Sequence, residues 1–248
     1  MNISSLNALA KLISSNPNEA KALVKLVSID VLKSLGEAKY SILLDNKTLT
    51  AQSDKPLSEG AKYWTQLTQN KQAQPQLSNP LKIPLLFDAL KNSELVYSPK
   101  ELHTLLSSKK PEAQLKQTLL EHLSSASSKE EFVNASTLLL SLANNTFTTP
   151  LAFSNSFALL QFKKRYNTKT KKTHIDFYAA LEFLGPISGL ISLDEGEISV
   201  ELGVAFAKTK LLLEDDLKNL SYHANITLKQ KIEPLYNLTC NTLLDVNA

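Results

Sequence analysis

The stretch Ile175-Asp-Phe-Tyr-Ala-Ala-Leu-Glu-Phe-Leu-Gly-Pro-Ile-Ser-Gly-Leu-Ile-Ser-Leu-Asp-Glu-Gly-Glu-Ile-Ser-Val-Glu-Leu-Gly-Val-Ala-Phe206 alternates apolar and polar residues almost without a slip. Successive side chains leave a strand on opposite sides, so period two predicts strands with one buried face. Ile175, Phe177, Ala179, Leu181 and Phe183 share a face of one strand. Ile198, Val200, Leu202, Val204 and Phe206 share a face of a later one. Gly185-Pro186 and the run Asp194 to Glu197 punctuate the pattern as turns do. The segment predicts an antiparallel meander and brings no catalytic group with it.

Working outward, Phe157 to Phe162 reads as a further strand, and Asn144 to Thr149 as the break before it. Downstream, Leu211 to Leu220 and the residues from Ile226 onward read as helices, with Pro234 interrupting. Upstream, helix starts share one grammar. Ser98-Pro-Lys-Glu101 and Ser128-Lys-Glu-Glu131 are capping boxes, and Pro111 opens a helix marked by Leu115, Leu119 and Leu123. Phe132, Ala135, Leu139 and Leu142 are expected on the buried side of the helix after Ser128, and Pro84 to Leu90 forms a short helix. Asn70 to Pro80, rich in Gln, Asn, Ser and Pro, reads as a linker.

The first third is expected to open with helices. Leu6, Leu9, Leu12 and Ile13 share a helical face, and Asn16-Pro-Asn-Glu19 caps a second helix. Leu23, Val27 and Val31 repeat behind it at four-residue spacing, and Gly36 stops it. Tyr40 to Leu44, Thr48 to Gln52 and Ala61 to Thr68 follow as three short strands, with a turn at Asp45-Asn46-Lys47. The expected fold is α+β. Residues 1–69 form a helix plus small β module, 70–83 a linker, 84–146 a helical region, and 147–248 an antiparallel sheet with C-terminal helices.

The chain has 248 residues, 43% of them hydrophobic, enough to bury a core. A formal net charge of +3 does not by itself indicate a nucleic-acid binder. The single cysteine, Cys240, excludes an internal disulfide. The first residues lack the basic and long apolar regions of a signal peptide, and no apolar run reaches the roughly 20 residues needed to span a bilayer. A cytoplasmic protein without membrane insertion, or one exported without a signal peptide, is expected.

Candidates for chemistry are few. His103, His122, His174 and His223 form no ligand pair at helical spacing, and none lies near Cys240 in sequence. Walker, dinucleotide-binding and nucleophile-elbow motifs are absent. Glu214-Asp-Asp216 could hold a divalent cation but reads better as acids at a helix start. No enzyme, cofactor or metal is expected.

Two features could contact a partner. The run Lys163-Lys-Arg-Tyr-Asn-Thr-Lys-Thr-Lys-Lys172 makes a cationic β-ribbon. Its simplest reading is a solvated hairpin whose lysines discourage edge pairing. Its functional reading is contact with an acidic protein or with nucleic acid through Lys163, Lys164, Arg165, Lys171 and Lys172. Nucleic-acid binding would be salt-sensitive and lost when these are neutralised; an acidic protein fits the modest net charge at least as well. Trp64 follows Tyr63 on the third small strand. One ring is expected inward and the other outward, and an exposed Trp64 would mark a contact surface. Packing against the N-terminal helix is its plainer role.

Leu181 to Ser192, then Ile198-Ser-Val-Glu-Leu202, then Leu211-Leu-Leu-Glu-Asp-Asp-Leu-Lys-Asn-Leu220 are similar to the C-terminal domain of flagellar hook-length control proteins. The shared pattern is a strand ending in Leu-Gly, a β-return, another apolar strand, and a helix with paired leucines. It covers about residues 145–225. Leu35 to Ala51 and Leu57 to Trp64 resemble a short β-barrel module found ahead of some of these domains. The resemblance implies a domain that contacts the export gate of the flagellar type III secretion apparatus and switches it from hook to filament substrates. Leu184, Gly185 and the helix from Leu211 to Leu220 would then be structural residues of an interaction domain. The chain departs from that family in lacking a long extended N-terminal ruler, and its linker is too short to gauge a hook.

Overall fold

The computed structural model describes residues 25–69, 74–153, 156–168, 172–194, 197–217 and 223–237. The chain divides into two compact units, Met1–Lys82 and Ile83–Ala248.

In the first unit, β1 (Lys25–Gly36), β2 (Lys39–Leu44), β3 (Lys47–Ser53), β4 (Lys62–Gln69) and β5 (Pro75–Lys82) close into a barrel in the order β1-β2-β3-β5-β4. The β3–β5 pair is parallel and the others antiparallel. This connectivity is that of an OB-type Greek-key barrel. Inward residues follow period two: Val27, Ile29 and Val31 of β1 meet Tyr40, Ile42 and Leu44 of β2, with Tyr63, Leu67 and Leu77 opposite. Asp45 and Asn46 both take positive φ, as a two-residue hairpin turn demands. The Tyr40 and Tyr63 hydroxyls accept hydrogen bonds from the backbone N–H groups of Leu57 and Ser58, fastening the β3–β4 loop.

The second unit holds α1 (Leu85–Leu90), α2 (Pro99–Leu106), α3 (Pro111–Ser125), α4 (Lys129–Ala143), β6 (Phe147–Phe153), β7 (Ser156–Asn167), β8 (Lys172–Leu181), β9 (Gly185–Asp194), β10 (Glu197–Val204), α5 (Ala207–Leu217) and β11 (His223–Leu228). The sheet runs β11-β10-β9-β8-β7-β6. It is antiparallel from β6 to β10, and β11 lies parallel to β10, reached through α5. A parallel return needs such a crossover because a tight turn reverses the chain. Phe157, Leu159, Tyr178 and Ala180 are buried on one face, where Phe87 of α1 meets Phe157 edge to face with ring centroids 4.9 Å apart. Ala179, Ile187, Val204 and Ile226 form the core of the other, with Leu213 of α5 packed against them. Ser98 caps α2 in a reciprocal box with Glu101, and Ser128 caps α4.

The expected α+β layout, with an N-terminal helix and a helical middle, is corrected. Among the described residues 48% lie in strands and 27% in helices, with a closed five-stranded barrel beside a second sheet. The residues from Leu26 to Gly36, expected as a helix, belong to β1. Val27 and Val31 are four apart, which fits a helical turn but also two strand repeats, and Ile29 between them completes the inward row. Gly36, with φ of +83°, serves the β1–β2 hairpin rather than a helix stop. The helices expected before residue 24 lie outside the described residues. The linker over 70–83 is also corrected, because Pro75–Lys82 is β5 and closes the barrel. Ile226, expected in a helix, sits in β11, where Ala224, Ile226 and Leu228 alternate with polar neighbours. On α4 the buried stripe is Asn134, Ala135, Thr137, Leu138 and Ser141, and Phe132 is exposed. Glu214 stands near the end of α5, not at a helix start, so a favourable dipole role is withdrawn; its partner is Lys210, at 3.5 Å.

Candidate interaction surface

Among the described residues, the sheet face that carries α5 is covered over only part of its length. Antiparallel register puts paired residues on the same side, so rungs can be followed across strands. One rung joins Leu160, Ala179, Ile187 and Val204, and it is largely buried near α5. Two rungs further along the strands, Lys164, Ile175, Ile191 and Val200 line up on the same face. The next rung pairs Leu193 with Ile198. There Ile175 is 38% exposed, Ile198 48% and Leu193 63%. The apolar alternation thus continues past the end of the cover, and these rungs present a contiguous apolar strip. Such strips mark contact sites more often than isolated exposed side chains do.

At the β6 side the strip enters a groove of about 900 Å³. Phe147, Phe162, Ile175 and Ile191 lie along its sheet side. Leu106, Pro111 and Leu142, from the ends of α2, α3 and α4, line the opposite side. Lys164 and Tyr166 border it, and both are exposed.

The ribbon cations occupy distinct settings. Lys163 donates to the Asn144 carbonyl at 3.0 Å. Arg165 pairs with Asp176 across the β7–β8 ladder, and His174 lies 3.5 Å from the same carboxylate. Lys172 pairs with Asn167 in the ladder register. Lys171 lies outside the described residues. Lys163 and Arg165 are thus engaged within the protein, and Lys164 stands exposed at the groove.

Trp64 is 1% exposed, so the outward contact ring is corrected: Tyr63 points into the barrel and Trp64 is buried too. The outer positions of β2 and β3 alternate with the barrel core; they are Lys39, Ser41, Leu43, Thr48, Thr50 and Gln52. None is aromatic, so this face offers no ring on which a base could stack.

The turn Glu182–Leu184 and Gly185 meet α5 directly. Thr209 donates its hydroxyl proton to the Leu184 carbonyl at 2.7 Å, and Gly185 takes a φ of +77°. Leu184 and Gly185 thereby set where the covering helix begins. Leu211 is exposed on α5, and Leu220 lies outside the described residues.

On the opposite face, Gln161 is fully buried and makes a reciprocal pair with the backbone of Tyr236. Its amide donates to the Tyr236 carbonyl at 2.8 Å and its oxygen accepts from the Tyr236 N–H at 3.1 Å. Burial pushes the Tyr178 hydroxyl well above the usual tyrosine range. Among the described residues, no group of three His, Cys, Asp or Glu is placed to hold a metal ion, and no helix is long and apolar enough to cross a membrane.

No family model matches the chain, and no curated protein is significantly similar to it.

Proposed function

We propose that the chain is a non-catalytic protein-interaction factor of flagellar export. It acts in the cytoplasm on the type III export apparatus, in hook-length control and substrate-specificity switching. The observation that carries an interaction role is the strip of exposed Ile175, Leu193 and Ile198 with half-buried Ile191 between them, a rigid apolar surface held by paired strands on both sides. Burying such a strip stabilises a complex by roughly 25 cal/mol per Å² of apolar area removed from water. The flagellar assignment is supported by the order of parts in the resembling segment: β8, a Leu184-Gly185 turn, β9, β10, then α5 with Leu211, Leu212 and Leu213. The OB-type barrel lacks aromatic stacking positions on its β2–β3 face, which favours a protein partner over a nucleic acid.

The test is direct binding. The full chain, titrated against the purified cytoplasmic domain of the export gate in a calorimeter, is expected to form a stoichiometric complex. Cells lacking the chain are expected to build hooks of uncontrolled length. No heat of binding together with normal hook lengths would overturn the flagellar reading.

A further inference from the structure

We propose that the groove between the α2, α3 and α4 ends and the sheet receives an acidic amphipathic α-helix of a partner protein. This rests on the interaction reading above and adds the chemistry of the occupant.

Backbone accounting favours a helical occupant over an extended one. Phe162, Ile175 and Ile191 belong to β7, β8 and β9, and each of these strands has a neighbour on both sides. Their N–H and C=O groups are committed to ladder bonds; only Phe147, the first residue of the edge strand β6, brings a sheet edge to the groove, so most of its sheet side offers a segment side chains alone. A segment desolvated there must satisfy its own backbone polar groups. A helix does so internally and can present an apolar stripe at i, i+3, i+4 and i+7. The apolar sheet side, with Leu106, Pro111 and Leu142 opposite, suits such a stripe.

Charge sets the flanks of that helix. Lys163, Lys164 and Arg165 line the sheet side of the groove, and of these Lys164 is the exposed one without a bond described above. One carboxylate, Glu112, also borders the groove. The cations outnumber it, so glutamates and aspartates beside the stripe gain complementary partners and lysines meet like charge. A polynucleotide would match the cations but leave the apolar lining uncovered.

The experiment is fluorescence anisotropy with the full-length chain and a labelled peptide of about 18 residues, five helical turns. Its leucines are spaced on one helical face and flanked by glutamates. Three controls are run beside it: the same composition with the leucines scattered, the peptide with lysine for glutamate, and a single-stranded oligonucleotide. The ordered acidic peptide is expected to bind at least about tenfold more tightly than any control. Ile175→Glu and Lys164→Glu, both at exposed positions, are each expected to weaken it by about tenfold, with unchanged melting temperature. Equal binding of the scattered peptide, preference for the lysine peptide, tighter binding of the oligonucleotide, or indifference to both substitutions overturns the proposal. The two readings fail separately. If Ile175→Glu still binds the export-gate domain, the groove assignment falls and the interaction reading stands. If the wild-type chain ignores that domain but binds the ordered peptide, the flagellar assignment falls and the groove assignment stands.

Discussion

Gly189 sits on β9 between Phe177 of β8 and Leu202 of β10, and replacing it with alanine tests the sheet's packing at one atom. Its backbone is not in the left-handed region, so the cost is steric alone. A Cβ would lie 2.1 Å and 2.3 Å from two ring carbons of Phe177 and 2.8 Å from the Glu201 carbonyl oxygen. Carbon atoms pack comfortably at about 3.5–4.0 Å, so the ring must move by more than 1 Å. Phe177 is only partly buried and can swing aside, giving up its packing on the α5 core. The Glu201 oxygen belongs to the backbone of β10, which is paired on both sides and yields little. Overpacking of this kind costs about 1–3 kcal/mol. At about 2–4 °C per kcal/mol for a unit of this size, Gly189→Ala should melt about 5 °C lower by far-UV circular dichroism. The double variant isolates the cause. Without the ring, in a Phe177→Ala background, the increment for Gly189→Ala should fall below about 1 kcal/mol, the remainder being the carbonyl contact. Wild-type melting of Gly189→Ala, or the same increment with and without the ring, would refute the reasoning.

Gln161→Leu keeps volume but removes both partners of the Tyr236 backbone; it should cost about 1–3 kcal/mol and raise hydrogen exchange at the Tyr236 amide, and unchanged exchange would count against the pairing. Ser98→Ala removes an N-cap and should cost about 1 kcal/mol in a urea titration at neutral pH. The Glu101 carboxyl accepts from the Ser98 N–H and hydroxyl, each at 2.7 Å, and these bonds hold it below the usual glutamate range. A group depressed on folding stabilises the protein fully above its unfolded pKa and loses that contribution as pH falls through the folded value. The stability gap between wild type and Glu101→Gln should therefore shrink as the solution is taken below the ordinary glutamate pKa of 4.5, and a constant gap would contradict it.

Helix starts were legible because their signals are local. Ser98 and Glu101, and likewise Ser128 and Glu131, bond within one turn, so the pattern needs no tertiary context. The meander was legible for a similar reason, since period two persists along β8 and β10 whatever packs on them. β1 was misread because Val27 and Val31 satisfy both periods; the alternation of Val27, Ile29 and Val31 with Ser28 and Asp30 was the better guide. β5 was hidden by Pro75 and Pro80, which read as a linker. The barrel tolerates Pro80 because the β4–β5 register shifts between Trp64 and Gln66, opposite Asn79-Pro80, and Asn79 takes a φ of +50°. A bulge needs no ladder bond where proline supplies no N–H. Trp64 showed why alternation alone does not predict exposure, because an outward ring can still be covered. The groove had no sequence signal, since its lining spans Leu106 to Ile191 and is assembled only by the fold.

The uncovered strip follows from element lengths. α5 spans 11 residues, about 16 Å of helix. β8 and β9 each span 10 residues, about 33 Å of strand. Among the described residues, a helix anchored at the β8–β9 turn by the Thr209–Leu184 bond therefore reaches only to about the middle of the strands it covers. Beyond that point a sheet with no further function would be expected to turn polar on the exposed side, because solvent no longer rewards burial there. This one keeps Ile175, Ile191, Leu193 and Ile198 in register. The same strands carry the ribbon cations beside the strip, where Lys164 and its neighbours discourage indiscriminate sheet stacking while leaving the apolar surface available. Apolar residues continued past their cover, with charge at the border, are what a docking surface requires. The short covering helix sets where that surface begins.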